Sequence, residues 1–182
     1  MFKNLFIGSL FVVYPLFVFS NDGVPTKKTT TGQAVASTIE VPINDPYFKL
    51  ADDILRYSKK FIGTPYLRGG KATKGFDCSG FVIYVFAKFG LKLGACSTEL
   101  AKLGYNVASA KAMPGDLIFF KRGTSSNSGV SHVGIVIESN EKGLKFIHSA
   151  SSKGVSISYL HENYYTNHFA GVRRVIDCLK EF

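Results

Sequence analysis

The sequence predicts an α+β domain in which N-terminal helices pack on a mostly antiparallel sheet of five to six strands. Apolar residues recur at helical spacing between Asp45 and Gly104, whereas short apolar runs bounded by Gly, Ser or Asn fill the chain after Pro114. Helices followed by strands are typical of α+β domains. With 46% hydrophobic and 19% charged residues, the chain has the composition of a globular protein with a buried core.

Residues 1–44 are expected to lie outside this domain. Residues 1–20 hold one cation, Lys3, followed by an uncharged apolar run, which is typical of a secretory signal peptide. An uncleaved membrane anchor is the alternative, although the run is short and Pro15 interrupts it. Residues 21–44 are rich in Thr, Ser, Gly and Lys and are interpreted as a flexible leader. We therefore expect residues 45–182 to form one exported domain, periplasmic or extracellular, without a stable membrane anchor after signal cleavage.

Three helices are predicted from capping residues, apolar stripes and terminating glycines. The second is apolar on so broad a face that we expect it to be nearly buried. The third is expected to be capped by Ser97 or Thr98. The helices are predicted to begin at Asp45, near Cys78 and at Ser97, and to stop at Gly63, Gly90 and Gly104. Strands are predicted at residues 117–121, 130–138, 144–149, 155–159 and 170–176.

The formal net charge of +9 favours binding to anionic polymers, such as a negatively charged cell wall. The cations are scattered and form no run of five or six, so nucleic acid is not an expected partner. The sequence contains no internal repeat, Walker loop, dinucleotide fingerprint or paired CxxC motif. Function classes driven by nucleotides or built on zinc fingers therefore have no support.

Three cysteines in an exported chain leave at least one thiol without an intramolecular partner. Cys96 and Cys178 either pair with each other or lie buried as small apolar residues. Cys78 stands where the second helix is predicted to begin. Unpaired N–H groups and the dipole at a helix N-terminus stabilise a thiolate, and the same N–H groups are suited to an oxyanion. Cys78 is therefore the candidate nucleophile.

Two of the four histidines, His132 and His148, lie in strands predicted to form a hairpin through residues 139–143. If the turn centres on Asn140 or Glu141, the two imidazoles lie opposite or diagonal to each other on one face of the sheet. We expect that face to lie against the N-terminus of the second helix. His132 would then act as the base for Cys78, and His148 would orient its ring.

The other two histidines, His161 and His168, precede the last predicted strand and are interpreted as surface residues.

Five motifs, in this order, resemble those of the NlpC-type cell-wall peptidase family. Together they extend over most of the predicted domain, roughly Ile54 to Ile176, and are far more specific than a lone Cys and His pair. The resemblance implies a papain-like α+β fold and hydrolysis of peptidoglycan stem peptides, typically between D-glutamate and a diamino acid. The motifs are Gly63-Thr64-Pro65-Tyr66, Phe76-Asp77-Cys78-Ser79-Gly80-Phe81, Pro114-Gly115-Asp116-Leu117-Ile118-Phe119-Phe120, Ser131-His132-Val133-Gly134-Ile135 and Phe146-Ile147-His148-Ser149-Ala150.

The matching motifs imply a role for each candidate site residue. Cys78 resembles the nucleophile, His132 the general base and His148 the third polar residue. Tyr66 resembles a tyrosine of the oxyanion site, and Asp77 and Ser79 would flank the substrate cleft, although Asp77 alone also suits a helix cap. The implied reaction needs no metal or organic cofactor.

The chain also departs from the family pattern. Members commonly carry an Arg and a Gln around the third helix, where this chain has Ala95 and Leu100, and an aromatic residue in the position of Arg68. These departures concern the choice of stem peptide and not the chemistry.

Three other functions fit the same residues. An amidase or acyltransferase on the same papain-like plan would use the same Cys and His pair on another amide or ester. Cys78, His132 and His148 are also suitable zinc ligands. The third alternative is a wall-binding module without catalytic activity. The main interpretation is a monomeric enzyme whose partners are peptidoglycan stem peptides.

Overall fold

The structure is a computed structural model that describes residues 45–179. The predicted signal peptide and leader lie outside these residues, so their assignments stay predictions. Within residues 45–179, no helix combines the length and the apolar character needed to cross a bilayer.

The described chain contains five α-helices, eight strands and one 3-10 helix. The helices are α1 (Pro46–Lys59), α2 (Cys78–Ala87), α3 (Ser97–Leu100), α4 (Asn163–His168) and α5 (Ile176–Leu179), and the 3-10 helix is Ser109–Lys111. The strands are β1 (Lys71–Ala72), β2 (Gly75–Phe76), β3 (Tyr105–Val107), β4 (Leu117–Lys121), β5 (Val130–Asn140), β6 (Gly143–Ala150), β7 (Gly154–Tyr159) and β8 (Phe169–Arg174).

The first two helices begin at the residues that the sequence predicts. The Asp45 side chain accepts a hydrogen bond from the Tyr47 N–H at 2.7 Å, and Pro46 occupies the first helical position, where its missing N–H is not needed. Asp77 caps α2 by accepting from the Gly80 N–H at 2.6 Å. Both helix starts are therefore fixed by an aspartate side chain.

The predicted cap of the third helix is wrong. Cys96 is its N-cap residue and makes no capping hydrogen bond through its side chain. The Glu99 carboxylate instead accepts from the Ala95 N–H at 2.6 Å, while the Thr98 hydroxyl contacts the Cys96 sulfur at 3.0 Å. The residue before the N-cap is thus held by a side chain that reaches back from inside the helix.

Six strands form one antiparallel sheet in the order β3-β8-β4-β5-β6-β7, and β1 and β2 form a separate hairpin. The α+β prediction with a mostly antiparallel sheet of five to six strands is therefore confirmed. Three strands and two helices were not predicted: β1, β2 and β3 have only two or three residues each, and α4 and α5 have six and four. Elements this short leave no periodic pattern to detect.

The two faces of the sheet are covered differently. On one face, Phe81 and Val85 of α2 join a large core cluster with Val133 and Ile135 of β5. On the other face a smaller cluster is closed by partly buried side chains of the β7 to β8 segment. The smaller cluster consists of Ala112, Ile118, Phe120, Val136, Leu144, Phe146 and Val172, with Val107, Leu160, Tyr165 and Phe169 packed against it.

A buried ion pair ties the start of β4 to the end of the sheet. Arg174 donates to both carboxylate oxygens of Asp116 at 2.9 Å, and the Tyr47 hydroxyl of α1 donates to the same carboxylate at 3.2 Å. Asp116 is fully buried, and the Arg174 side chain is 13% exposed. The contact therefore joins α1, β4 and β8.

We expect Asp116→Ala to lower the free energy of unfolding by about 3 to 5 kcal/mol, because it leaves a largely buried guanidinium unpaired. Urea denaturation measures this change. The matched control is Asp52→Ala, whose partner Arg56 is exposed, as is Asp52 itself. We expect the control to cost less than about 1 kcal/mol. Equal effects of the two substitutions would contradict a structural role for the Asp116 ion pair.

Candidate active site

Cys78 is the first residue of α2 and is buried, with 8% of its surface exposed. The N-terminus of α2 is held against the preceding turn because Gly69 donates to Asp77 Oδ2 at 3.0 Å and Asp77 N–H donates to the Gly70 carbonyl at 3.0 Å. A Cβ atom on Gly80 would lie 2.0 Å from that same carbonyl oxygen. Glycine at position 80 thus allows the close approach that fixes Cys78.

The thiol lies where β5 and β6 separate. Pairing between these strands starts at Ile135 and Ile147, so the earlier residues of β5 pair only with β4. The N–H and C=O groups of Val136 form hydrogen bonds with the chain at the start of β4. Because these groups point to alternate sides along a strand, the N–H and C=O groups of Ser131 and Val133 point the other way, into the gap. The Cys78 sulfur contacts the Ser131 carbonyl at 3.8 Å, and the Val133 N–H also reaches it.

The histidines reach this gap from the other face of the sheet. Val133 and Ile135 pack toward α2, so His132 points to the opposite face, where its ring packs against Phe120 at 5.9 Å between centroids. The expectation that the histidines share a face with α2 is therefore wrong. At the open edge of β5, Cys78 Sγ contacts the main chain on both sides of His132.

His132 Nε2 lies 2.8 Å from His148 Nδ1, so the two rings share a face as predicted. The predicted turn centre is wrong, however. Asn140 pairs with Gly143 across a two-residue loop, and this register alone would place the histidines on opposite faces. A bulge at Ile137 shifts the register by one residue and restores the shared face.

Gly134 makes room for the contact between the two imidazoles. A Cβ atom here would lie 2.9 Å from Phe146 Cδ2, 3.0 Å from the Ile147 carbonyl oxygen and 3.2 Å from His148 Cβ. Because position 134 has no side chain, the His148 ring can lean diagonally toward His132.

Two hydroxyl groups behind His148 complete the arrangement. Ser158 Oγ and Tyr165 Oη each lie 3.2 Å from His148 Nε2, and Ser158 donates to Tyr165 at 3.4 Å. Sequence reasoning missed both residues. Alternation along β7 places Ser158 on the face of His148, which is a usable signal, but Tyr165 lies in the short helix α4 that no pattern indicated.

Tyr66, Cys78, His132 and His148 line one pocket of about 480 Å³. Asp77 and Ser79 are not among its lining residues. Asp77 instead caps α2 and accepts from the Ser79 hydroxyl at 3.0 Å, so their predicted contact with substrate stays a prediction. The other lining residues are Ser131, Ala150, Ser151, Ser152, Lys153, Ser158, Glu162, Tyr164 and Tyr165.

The family model described as the NlpC/P60 family matches residues 63–174. The chain belongs to the NlpC/P60 family. It is 40% identical over 114 residues to the "Probable endopeptidase NlpC" of Escherichia coli K12, covering 62% of this chain and 70% of that protein. It is 36% identical over 123 residues to the "Gamma-DL-glutamyl hydrolase" of Bacillus subtilis 168, covering 66% of this chain and 28% of that protein.

Solved structures agree with this assignment. An NlpC/P60 family protein from Bacillus cereus matches with a TM-score of 0.62 and 33% identity over 68% of this chain and 39% of that one. The predictions of the family and of its fold are thereby confirmed, and at the level of the family so is that of a cysteine-type hydrolase. The chain spans 28% of the glutamyl hydrolase and 70% of the NlpC protein, so its own activity is a matter for proposal.

Burial determines the protonation of this NlpC/P60 site. It raises the pKa of Cys78, and the N–H groups of Val133 and Ser79 oppose this only in part. Burial lowers the pKa of His132 to about 4 and, with the charges of His132 and Lys153, that of His148 to about 3. The N–H groups at the helix start lower the pKa of the thiol, in the direction that the sequence predicts, but burial outweighs them. Burial thus favours the neutral form of the thiol and of both imidazoles.

The other cysteines and histidines lie apart from this pocket. Cys96 is exposed and Cys178 partly exposed, and both are free thiols, so they do not pair with each other. His161 is exposed on the surface as predicted, and His168 is the partly exposed last residue of α4.

The geometry does not suit the zinc alternative. A zinc ion needs each ligand atom at about 2.0 to 2.3 Å, and the facing nitrogens of His132 and His148 are hydrogen bonded to each other at 2.8 Å. Within residues 45–179, no group of three His, Cys, Asp or Glu side chains is placed to hold a metal ion.

We expect Gly134→Ala to lower the free energy of unfolding by about 1 to 3 kcal/mol, because the added methyl group overpacks the space beside His148. Urea denaturation measures this change. Gly129→Ala is the control, since nothing lies within 4 Å of a Cβ atom there. A Gly134→Ala enzyme with unchanged stability would contradict the tight contact.

We expect alkylation of Cys78 by iodoacetamide to titrate at higher pH than that of Cys96. Burial raises the pKa of Cys78, whereas the Thr98 hydroxyl lowers that of exposed Cys96, and only thiolates react. Peptide mass spectrometry follows both cysteines in one sample across pH 5 to 10. Rapid alkylation of Cys78 at pH 5 would show a preformed thiolate and imidazolium pair instead.

Proposed function

We propose that this protein is an exported cysteine endopeptidase that cleaves peptidoglycan stem peptides through an acyl-enzyme on Cys78. The observation that carries the proposal is the meeting of three groups in one pocket. Cys78 begins α2, contacts the main chain on both sides of His132, and His132 is hydrogen bonded to His148 at 2.8 Å. Nucleophile, base and orienting group in this order form a thiol hydrolase site.

In the first step, His132 accepts the Cys78 proton as sulfur attacks the scissile carbonyl carbon. The bond to His148 occupies Nε2 of His132, so Nδ1 is the ring nitrogen that serves Cys78. With its pKa lowered to about 4, His132 is unprotonated at neutral pH and able to take the proton. Because Cys78 and His132 are both neutral before the reaction, His132 acts as a general base while the sulfur attacks.

The negative oxygen of the tetrahedral intermediate needs hydrogen-bond donors. The N–H groups at the start of α2 supply one set, since the first turn of a helix leaves them unpaired. Tyr66 supplies a hydroxyl from the pocket wall, and burial together with the charge of Cys78 raises its pKa, so it stays protonated. Both groups donate to the oxyanion in this account.

Collapse of the intermediate breaks the amide bond, and protonated His132 gives its proton to the departing amine. The acyl group stays on Cys78 as a thioester. Water then attacks the thioester carbonyl while His132 takes a proton from it, which releases the carboxylic acid and restores the thiol. No metal or organic cofactor takes part in this sequence.

The bond between D-glutamate and a diamino acid is the proposed site of cleavage. A γ-linked glutamate keeps a free α-carboxylate, and a diamino acid brings a second amino group. Lys153 and Glu162 line the same pocket and offer charges complementary to both. The relative named "Gamma-DL-glutamyl hydrolase" is consistent with this choice.

The departures from the family pattern bear on the choice of stem peptide. Leu100 is fully buried and so is not available for contact with a substrate, whereas Ala95 and Arg68 are exposed. Export follows from the signal-like residues 1–20, which lie outside the described residues. The net charge of +9 suits retention on anionic wall polymers.

We expect the wild-type protein to convert defined muropeptides into fragments ending in D-glutamate, as detected by mass spectrometry. Cys78→Ala should abolish cleavage and leave binding to sacculi intact, because only the nucleophile is lost. Cys96→Ala is the matched control, since Cys96 is exposed and lies outside the pocket.

Two other outcomes of the muropeptide assay would favour a different function. Muropeptides left intact by well-folded wild type would contradict the proposal and favour a wall-binding module. Cleavage or transfer at another amide or ester, still dependent on Cys78, would favour the amidase or acyltransferase.

A further inference from the structure

The orienting group His148 is an imidazole, which creates an ambiguity that an amide oxygen or a carboxylate would not. A carboxylate facing His132 can only accept a hydrogen bond, whereas Nδ1 of an imidazole either accepts or donates, depending on the tautomer. His132 can take the Cys78 proton on Nδ1 only if its own proton sits on Nε2 and is donated to His148. The site works only if His148 is held in the accepting tautomer.

The hydrogen bonds behind His148 select that tautomer. Ser158 donates its hydroxyl proton to Tyr165 at 3.4 Å. With Ser158 as the donor to Tyr165, its single proton is used there, and its oxygen is left to accept at the 3.2 Å contact with His148 Nε2. This assignment places the His148 proton on Nε2 and leaves Nδ1 to accept from His132 Nε2 at 2.8 Å.

We infer that Ser158 and Tyr165 are positioning residues that set the tautomers of both imidazoles and so leave His132 Nδ1 free to receive the Cys78 proton. This inference rests on the proposed function, in which His132 is the base. The hydrogen bonds then all donate in one direction, away from the sulfur: His132 donates to His148, His148 to Ser158 and Ser158 to Tyr165.

The surroundings make this direction effective. His148 is 1% exposed and Ser158 6% exposed, so water does not compete for their hydrogen bonds. Tyr165 lines the pocket, and its hydroxyl can direct its own proton into the pocket while it accepts from Ser158. The Tyr165 ring also packs on Phe146, with centroids 5.0 Å apart, which fixes its position.

Ser158→Ala tests the inference because it removes the acceptor and frees Tyr165. The Tyr165 hydroxyl, 3.2 Å from His148 Nε2, can then donate to it and force the proton onto Nδ1. We expect kcat/KM on the muropeptide to fall about 10- to 100-fold, the range known for partners that orient metal-ligating histidines. The fall should lie in kcat, with KM little changed.

The tautomers are read directly by nitrogen-15 NMR of histidine-labelled free protein. We expect His132 and His148 to be protonated on Nε2 in the wild type, and His148 to move toward the Nδ1 form in Ser158→Ala. Ser158→Thr keeps the hydroxyl and should restore both the tautomer and activity. Ser156→Ala is the matched control, because Ser156 lies on the same face of β7 but donates to the Gly154 carbonyl.

Failure of this inference is distinguishable from failure of the proposed function. If Ser158→Ala keeps wild-type kcat or the Nε2 tautomer of His148, the inference is wrong while muropeptide cleavage by the wild type still supports the function. If the wild type shows the stated tautomers but cleaves no muropeptide, the function is wrong and the hydrogen-bond directions are supported. A His148 ring already protonated on Nδ1 in the wild type overturns the inference outright.

Discussion

The site depends on the separation of β5 from β6 at Ile135 and Ile147. In a fully paired sheet, the main-chain groups of Ser131 and Val133 would bond to the neighbouring strand. Here they face a gap, and the N-terminus of α2 brings the Cys78 sulfur to them. The hydroxyl of Ser149 at the end of β6 donates to the Phe76 carbonyl at 2.8 Å, so the strand that leaves β5 is tied to the segment preceding α2. The gap and the helix start are thus parts of one arrangement.

In the proposed mechanism, this arrangement allows a nucleophile and a base on opposite faces of the sheet to act together. Cys78 comes from the face covered by α2, and His132 from the face that holds Phe120 and Phe146. Cys78 is buried and His132 is partly buried, and burial favours the neutral form of each by raising the pKa of the thiol and lowering that of His132 to about 4.

Much of the fold was predictable because its signals are local. Asp45 and Asp77 are capping residues that fix helix starts, and the strand of residues 117–121 is a continuous apolar run between turns. The shared face of His132 and His148 was also predicted, although its physical basis is the bulge at Ile137, which no residue pattern announces.

The features that could not be predicted from the sequence depend on contacts between residues far apart in the chain. The face on which the histidines lie relative to α2 depends on the separation of two strands, and the net effect on the Cys78 thiol depends on its burial. The contact of Tyr165 with His148 requires α4, which has only six residues. Asp77 was predicted equally well as a helix cap or a substrate contact, and the structure shows the cap.

The most direct test of the account is mass spectrometry of the intact protein quenched in acid during turnover of a stem peptide. We expect an added mass equal to the acyl half of the substrate, mapped by peptide digestion to Cys78, with Cys96 and Cys178 unmodified. Product formation without any adduct on Cys78, or with the adduct on another residue, would contradict it.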